Sequence, residues 1–274
     1  MRIVRFSVAD QQAFGALSGD PSAGPDEAPA TVSAIVGHPF GPFETSTAVF
    51  PLDAVRLLAP VLPSKVVAIG KNYAEHVREM GGDAPADPVL FLKPSTSVIG
   101  SGDTIRLPAL SGNVHHEAEL AVVIGRLVRD IPVERAFEAV LGYTCANDVT
   151  ARDLQQRDGQ WARAKGFDSF CPIGPWIETE LDPGDLAVEC RVNGEVRQSG
   201  RTRDLMHGVA ELVAYASAVM TLLPGDVLLT GTPAGVGPIV AGDTVDVTIE
   251  GIGTLTNTVR SDGTVRSDGV IARD

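Results

Sequence analysis

Two glutamates separated by a single residue stand at the start of an apolar segment, and a third acid follows later in the chain. Glu117 and Glu119 lead into Leu120–Ile124, and Asp148 ends a second strand-like run that begins at Val140. Because side chains alternate between the two faces of a strand, both glutamate carboxylates are expected to converge. Three carboxylates about 4 Å apart repel by roughly 4 kcal/mol per pair at an effective dielectric constant of ~20. A hard divalent cation removes this repulsion.

Acids at this spacing more commonly face solvent. Here, however, they lead directly into Leu120–Ile124, which is expected to be buried on both faces, and an acid at the mouth of a buried strand needs a partner. Oxygen ligands favour Mg²⁺ or Mn²⁺, with Ca²⁺ as an alternative, whereas zinc prefers cysteine and histidine. The adjacent His115 and His116 project to opposite faces, so at most one of them can join the site.

The composition is that of a globular protein with a surplus of acids. The chain has 274 residues, which suits one sizeable domain with a small appendage. A formal net charge of −13 disfavours attraction to nucleic acid or to anionic membranes. An anionic substrate is still compatible with this charge if lysine and arginine are concentrated in a pocket. The expected ligand is a small molecule.

The cysteines and the first residues bear on location. Cys145, Cys171 and Cys190 have no metal-binding spacing and leave an odd number, which is typical of reduced thiols. The stretch Met1–Ser7 lacks the apolar run of about 7–15 residues that a signal peptide needs. No segment approaches the roughly 20 apolar residues of a membrane span. We therefore expect a soluble, cytoplasmic protein.

Turn-forming residues divide the chain into short elements. Residues 1–60 alternate apolar runs with loop-like stretches such as Ser18–Asp26, which predicts a small strand-rich module. Helices are predicted over Asn72–Met80, Val133–Ala139 and Met206–Leu222. The strands predicted in the larger region are Val66–Ile69, Val89–Leu92, Ala118–Ile124, Val140–Ala146, Ala187–Val192, Val227–Thr230, Thr244–Ile249 and Thr254–Val259.

The order of these elements indicates the fold class. Many strands, few helices and no regular alternation of strand and helix favour a mixed, rolled sheet over a Rossmann or TIM-barrel architecture. We predict a mixed α/β fold that is mainly β, with an N-terminal module over residues 1–60 and a catalytic domain over 61–260. Residues 261–274 have little apolar content and are predicted to form a loosely ordered tail.

Several motifs follow one another in a fixed order along the chain. They are Gly70–His76, Phe91–Pro94, Glu117–Glu119, Asn147–Asp153, Lys165–Asp168, Pro224–Asp226 and Thr230–Gly237. Taken together, the motifs resemble the fumarylacetoacetate hydrolase family, in particular its smaller bacterial members of the acylpyruvate hydrolase type. The resemblance implies a mixed β-sandwich roll with a small N-terminal domain, a divalent cation, a homodimer and chemistry on 2-oxo acids.

The resemblance also implies roles for charged residues. Glu117, Glu119 and Asp148 match the metal ligands, in agreement with the carboxylate argument. Lys93 and Lys165 match positions that bind anionic parts of the substrate, and Lys165 is also counted among the catalytic residues. Without the resemblance, a lysine at the end of an apolar strand would serve equally well to guard a sheet edge.

A lid and a glycine-rich turn complete the implied site. The segment Tyr73–Met80 resembles the mobile lid of the family, and His76 and Glu79 within it share one helical face, so the carboxylate can orient the imidazole. By spacing alone, this pair is more typical of an ordinary surface helix. Gly231 and Thr232 begin a glycine-rich turn that lacks the phosphate-loop pattern and is expected to offer backbone N–H groups to a substrate carboxylate.

The predicted activity is metal-dependent hydrolysis of a C–C bond in an acylpyruvate, a 2,4-dioxo acid. His76 and Glu79 would activate the water. One metal site also supports decarboxylation of oxaloacetate type, or isomerisation of 2-hydroxyhepta-2,4-diene-1,7-dioate or 5-carboxymethyl-2-hydroxymuconate in aromatic catabolism. Two hypotheses from other classes are a metal-dependent binding protein without activity and a hydrolase that uses Cys145 as nucleophile, although a cysteine in a strand is more often a small core residue.

Overall fold

Strands make up most of the regular structure in the computed structural model, which describes residues 1–21, 28–265 and 271–272. The N-terminal strands are β1 (Arg2–Val8), β2 (Gln11–Ser18), β3 (Thr31–Gly37), β4 (Phe43–Pro51) and β5 (Arg56–Leu58). The middle strands are β6 (Val66–Gly70), β7 (Val89–Lys93), β8 (Val98–Ile99), β9 (Thr104–Leu107), β10 (Val114–His116), β11 (Ala118–Ile124), β12 (Val140–Asn147), β13 (Thr150–Ala151) and β14 (Cys171–Glu178). The remaining strands are β15 (Ala187–Val192), β16 (Glu195–Arg201), β17 (Val227–Leu229), β18 (Gly237–Pro238), β19 (Thr244–Ile249), β20 (Gly253–Ser261), β21 (Thr264–Val265) and β22 (Ile271–Ala272).

The helices are short and connect or cover the strands. The α-helices are α1 (Ala74–Glu79), α2 (Arg152–Asp158), α3 (Ala162–Lys165) and α4 (Val209–Val219). Single 3₁₀ segments occur at Leu52–Ala54, Ser95–Ser97, Val133–Ala139 and Thr202–Asp204. No helix of the described residues is long and apolar enough to cross a membrane.

One large mixed sheet carries the candidate site. Its main path runs β4-β3-β2-β1-β14-β12-β11-β17-β6-β7, and β17 pairs in parallel with β6. The N-terminal strands continue this sheet, because β1 pairs with β14. A second sheet, in the order β16-β15-β19-β20-β9, packs on it. The mixed, mainly β fold predicted from the sequence is confirmed.

The central strand β11 is buried on both faces, which accounts for its unbroken apolar sequence. Leu120, Val122 and Ile124 belong to the core that includes the second sheet and α4. Ala121 and Val123 point the other way, into a second cluster. Burial of apolar surface stabilises a protein by about 25 cal/mol per Å², so displacement of β11 from the core would be costly. Acids placed at its first residues are therefore held in fixed positions.

Helix boundaries differ from the predictions in ways that local contacts explain. Helix α1 begins later than predicted, because Tyr73 is extended with φ −123° and ψ 122°. Helix α4 begins after Gly208, whose N–H donates to the Glu211 side chain at 3.2 Å. The predicted helix Val133–Ala139 is a 3₁₀ segment. Residues 22–26 of the predicted Ser18–Asp26 loop and residues 266–270 and 273–274 of the predicted tail lie outside the described residues.

The sequence analysis did not predict strand β14, which lies in the middle of the large sheet between β1 and β12. It contains Pro172, Gly174 and Pro175, and prolines argue against a central strand because they cannot donate to the ladder. The strand nevertheless pairs with β12 around a register shift between Tyr143 and Cys145. Long-range pairing therefore overrides the local signal here.

Gly142 allows the close approach of β12 and β14. A Cβ added at this position would meet the carbonyl oxygen of Glu178 and would lie 2.7 Å from Cγ2 of Ile177. We expect Gly142→Ala to lower the free energy of unfolding by about 1–3 kcal/mol, as is typical of overpacking, and to lower the melting temperature. Gly112→Ala is the matched control, because a Cβ there meets no atom within 4 Å. Equal melting temperatures for the two variants would contradict this packing.

Candidate active site

Three buried carboxylates converge where β11 begins and β12 ends. One oxygen from each of Glu117, Glu119 and Asp148 lies within 4.8 Å of the others. The antiparallel register places them there: the Asp148 N–H donates to the Glu117 carbonyl at 2.8 Å, and the Asn147 side chain accepts from the Glu117 N–H at 2.9 Å. The structure thus brings together the three acids that the sequence pattern singled out.

Three cationic side chains surround these acids. Lys93 Nζ lies 2.6 Å from Asp148 Oδ1, and Lys165 Nζ lies 2.6 Å from Asp148 Oδ2 and 2.8 Å from Glu117 Oε2. Arg152 pairs with Glu117 Oε1. All three cations are buried, so solvent screens these interactions little. Three positive and three negative groups give the cluster a formal charge near zero.

Burial and neighbouring charges act on the pKa of these groups in opposite directions. Burial alone would raise the pKa of Glu117, but Lys165 and Arg152 outweigh it and hold this pKa well below its usual range. Burial alone would lower the pKa of Lys165. The negative charges of Asp148 and Glu117 outweigh burial and raise this pKa, so the lysine stays charged. Glu117 is therefore a carboxylate and Lys165 an ammonium group at neutral pH.

Glu119 differs from the other two acids. Its carboxylate accepts the Gly231 N–H at 2.6 Å, and among the described residues no lysine or arginine forms an ion pair with it. Burial raises its pKa well above the usual value, and Asp148 and Glu117 raise it further. A cation beside Glu119 would restore the ionised form. An oxygen-only donor set in which one acid has no ion-pair partner therefore fits a hard divalent ion.

Helix α1 covers this cluster with a histidine–glutamate pair. His76 is 7% exposed, and its Nδ1 lies 3.2 Å from Glu79 Oε2. Both Glu79 oxygens also lie within reach of the Gly235 N–H, at 3.0 and 3.2 Å. The carboxylate thus fixes the imidazole on one side and ties α1 to the glycine-rich turn on the other. Nε2 is left as the ring nitrogen available to a bound molecule.

A cavity of about 250 Å³ opens between α1 and the carboxylates. His76 faces it from the lid, and Lys71, Arg152 and Lys165 provide positive charge. The Lys165 ammonium also lies 5.1 Å from the centre of the Phe91 ring, a cation–π geometry. The cavity is therefore suited to a small anionic molecule with one end at the carboxylate cluster.

Some predicted site residues make contacts other than those expected. Lys93 pairs with Asp148 and is not among the residues that line the cavity, so the contact that the structure shows for it is with a carboxylate of the cluster. The Gly231 N–H is engaged by Glu119. Thr232 does line the cavity, but its hydroxyl donates to the Ala118 carbonyl at 2.9 Å. The hydroxyl proton of Thr232 is therefore not available to a ligand.

The cysteine-nucleophile hypothesis finds no support in the geometry. Cys145 is fully buried within β12, and its Sγ lies 3.3 Å from the Gly253 carbonyl oxygen. Burial raises the pKa of its thiol to about 12, so it is neutral at physiological pH. Cys145 therefore serves as a small core residue.

Sequence reasoning missed two of the cationic groups. Arg152 lies in the motif Asn147–Asp153, but the sequence analysis did not predict its contact with Glu117. The signal in the sequence was its place at the start of the helix that follows Asp148. Lys71 has φ +59°, a left-handed conformation that is uncommon for lysine, and it lines the cavity. Strained backbone of this kind is concentrated at functional sites. A single sequence cannot reveal it.

Comparison with known proteins places this site in a family. The family described as fumarylacetoacetate (FAA) hydrolase C-terminal matches residues 65–260, and the one described as Rv2993c-like, N-terminal, matches residues 1–60. The chain therefore belongs to the fumarylacetoacetate hydrolase family, as the motifs indicated. Named members include isomerases, tautomerases and a fumarylacetoacetate hydrolase, so the chain is an enzyme of this family.

Individual relatives agree with this assignment. Protein Rv2993c of Mycobacterium tuberculosis is 55% identical over 262 residues, which cover 94% of this chain and 98% of that protein. Oxaloacetate tautomerase YcgM of Escherichia coli is 46% identical over 195 residues, covering 69% and 89%. The structure of 5-carboxymethyl-2-hydroxymuconate delta-isomerase from Mycobacterium smegmatis has a TM-score of 0.88 at 57% identity and covers 95% of this chain and 100% of that one.

The pairing of Lys93 with Asp148 gives a test of the cation site. We expect Lys93→Met to destabilise the protein in EDTA by at most roughly 3–5 kcal/mol, because the buried Asp148 loses one of its two cationic partners and keeps only Lys165. Mn²⁺ should raise the melting temperature of this variant by more than it raises that of the wild type, since the ion replaces the lost positive charge. Differential scanning fluorimetry with and without Mn²⁺ measures both effects.

Lys65→Met is the control, because Lys65 pairs with the buried Asp226 away from the cluster. The difference in melting temperature between Lys65→Met and the wild type should be the same with and without Mn²⁺. An equal response of the two variants to Mn²⁺ would show that the ion does not bind beside Asp148.

Proposed function

We propose that this protein is a divalent-metal-dependent enzyme that moves a proton within a 2-oxo dicarboxylate, either between enol and keto forms or between double-bond isomers. The observation that carries the proposal is a neutral cluster of three acids and three cations that borders a cationic cavity. Mg²⁺ or Mn²⁺ would be held by Glu117, Glu119 and Asp148. The names of the tautomerase and isomerase relatives support the same reaction class.

Charge balance favours a dicarboxylate as the substrate. The acids of the cluster are matched by Lys93, Lys165 and Arg152, so a divalent cation leaves two positive charges in a buried site. A dianion neutralises both, whereas a monocarboxylate leaves one uncompensated, which is costly at low dielectric constant. Lys71 at the cavity wall gives the second carboxylate a partner near solvent.

The residues of the chain supply the proton transfer. A bound divalent cation would act as a Lewis acid toward negative charge that develops on the 2-oxo oxygen. In the direction from enol to keto, His76 would take the enol proton through Nε2 and deliver it to the neighbouring carbon, C3. While the proton is on the ring, Glu79, 3.2 Å from Nδ1, would stabilise the imidazolium and keep the ring oriented. Lys165 would donate a hydrogen bond to a substrate oxygen beside the cluster. With α1 closed, bulk water has little access to the reacting atoms.

Hydrolysis of a C–C bond in an acylpyruvate is the second candidate. The pairing of the buried His76 with Glu79 favours it, because the same imidazole could take a proton from water instead of from the substrate. The two candidates differ in substrate charge and in the need for water.

The homodimer, the cytoplasmic location and the division into residues 1–60 and 61–260 stay predictions from the sequence.

One panel of assays tests the proposal. Purified protein with Mg²⁺ or Mn²⁺ should accelerate the loss of enol absorbance of oxaloacetate, EDTA should abolish this activity, and readded metal should restore it. His76→Asn should lower kcat by about 10²–10⁴-fold, as expected for a lost general base. His38→Asn is the matched control, because His38 is exposed in the N-terminal region.

The alternatives have separate readouts in the same panel. Pyruvate release would report decarboxylation of oxaloacetate, and loss of an acylpyruvate would report hydrolysis. Acylpyruvate turnover that exceeds oxaloacetate tautomerisation would favour the second candidate. Full tautomerase activity in EDTA would overturn the proposal.

A further inference from the structure

The first residues of β11 project past the end of the neighbouring strand. The last pair between β11 and β17 is Ala121 with Leu229, so β17 does not reach Ala118. Ala118 lies between the two glutamates of the cluster, and its N–H and C=O point to this open side, away from β12. Unpaired backbone groups at a buried position are costly. Other groups must take the place of the missing strand.

Gln198 of β16 fills this position. Its side chain is completely buried and makes four hydrogen bonds. Oε1 accepts from the Ala118 N–H at 2.9 Å and from His116 Nδ1 at 3.0 Å, and Nε2 donates to Thr232 Oγ1 at 2.7 Å and to the Pro233 carbonyl at 2.8 Å. The two backbone partners fix the amide orientation, because an N–H can only donate and a carbonyl can only accept. Every hydrogen-bonding site of the amide is thereby used.

Thr232 completes the replacement of the strand. Its hydroxyl accepts from Gln198 and donates to the Ala118 carbonyl at 2.9 Å. Both backbone groups of Ala118 are therefore held by side chains that Gln198 joins. The adjacent Gly231 N–H binds the Glu119 carboxylate at 2.6 Å. Gln198 consequently supports both the strand that carries the acids and the turn that orients one of them.

The same turn also holds the lid. The Gly235 N–H contacts both oxygens of Glu79 on α1. Gly235 itself lies against the backbone of β16, where an added Cβ would meet the Arg197 carbonyl, and its φ is +97°. β16 therefore contacts the turn at two places: Gln198 hydrogen-bonds to its first residues, and the Arg197 carbonyl packs against Gly235 near its end. A change in the position of the turn would reach the acids and the lid together.

We propose that Gln198 is a positioning residue that couples the geometry of the metal-binding acids to closure of helix α1. This role rests on the proposed function, because it presumes a cation at the three carboxylates and a lid over them. Gln198 lies behind the turn and does not line the cavity. Its effect is exerted through Ala118, Thr232 and Pro233, and it has no direct part in proton transfer.

The test compares Gln198→Met with Asn257→Leu. Met has a similar length but removes all four hydrogen bonds. Asn257 is also a buried amide, 2% exposed, but it donates to the Gly100 and Asp103 carbonyls, away from the cluster. Both variants should lower the melting temperature. The quantities that separate them are Mn²⁺ affinity by calorimetry and hydrogen exchange of the amides in residues 74–82.

We expect Gln198→Met to weaken Mn²⁺ binding by about 10–100-fold, as is typical when a group that orients metal ligands is lost. Exchange in residues 74–82 should become roughly five- to tenfold faster, equivalent to the loss of about one hydrogen bond. Asn257→Leu should change neither quantity. Gln198→Glu keeps oxygen acceptors for Ala118 and His116, so its Mn²⁺ affinity should lie closer to the wild type than that of Gln198→Met.

Several outcomes decide the question. Wild-type Mn²⁺ affinity and lid exchange in folded Gln198→Met would overturn the proposal. If the Met variant does not fold, the same values in Thr232→Val, which removes the hydroxyl that joins Gln198 to the Ala118 carbonyl, would overturn it. Loss of both properties in Asn257→Leu would also overturn it, since any buried amide would then have the same effect. The proposed function can fail separately: a wild type that binds Mn²⁺ but does not tautomerise oxaloacetate leaves the role of Gln198 standing.

Discussion

The structure depends on the balance between three buried carboxylates and the cations that surround them. Burial of an ion costs several kcal/mol even after the protein relaxes, so Glu117, Glu119 and Asp148 could not occupy the interior without partners. Lys93 ends β7, Arg152 opens α2 and Lys165 ends α3, so the ends of three elements must meet at one point.

Rigid and movable parts of the site are clearly divided. The acids stand on β11 and β12, which are buried in the centre of the large sheet, whereas the histidine–glutamate pair stands on the short helix α1. Glu79 joins the two parts through the Gly235 N–H. Because Glu79 binds the same turn whose Gly231 N–H binds Glu119, the position of α1 is linked to the acids through this turn.

Local patterns in the sequence predicted part of this arrangement. The spacing of Glu117 and Glu119 on a strand and the position of Asp148 after the next strand predicted that the carboxylates meet, since both features depend only on strand geometry. The pairing of Lys93 with Asp148 and the four contacts of Gln198 could not be predicted. These contacts join segments far apart in the chain, and strand register decides them. Strand β14 was missed because its prolines mask a central position.

Direct observation of the ion tests the central claim, that the three acids form a divalent-cation site. Crystals soaked in Mn²⁺ and measured at the manganese absorption edge would locate it by anomalous scattering. The account predicts one strong peak about 2.0–2.6 Å from a carboxylate oxygen of each of Glu117, Glu119 and Asp148, the range of metal–oxygen distances for hard cations. A peak elsewhere, or none while Lys165 still bridges Glu117 and Asp148, would contradict it.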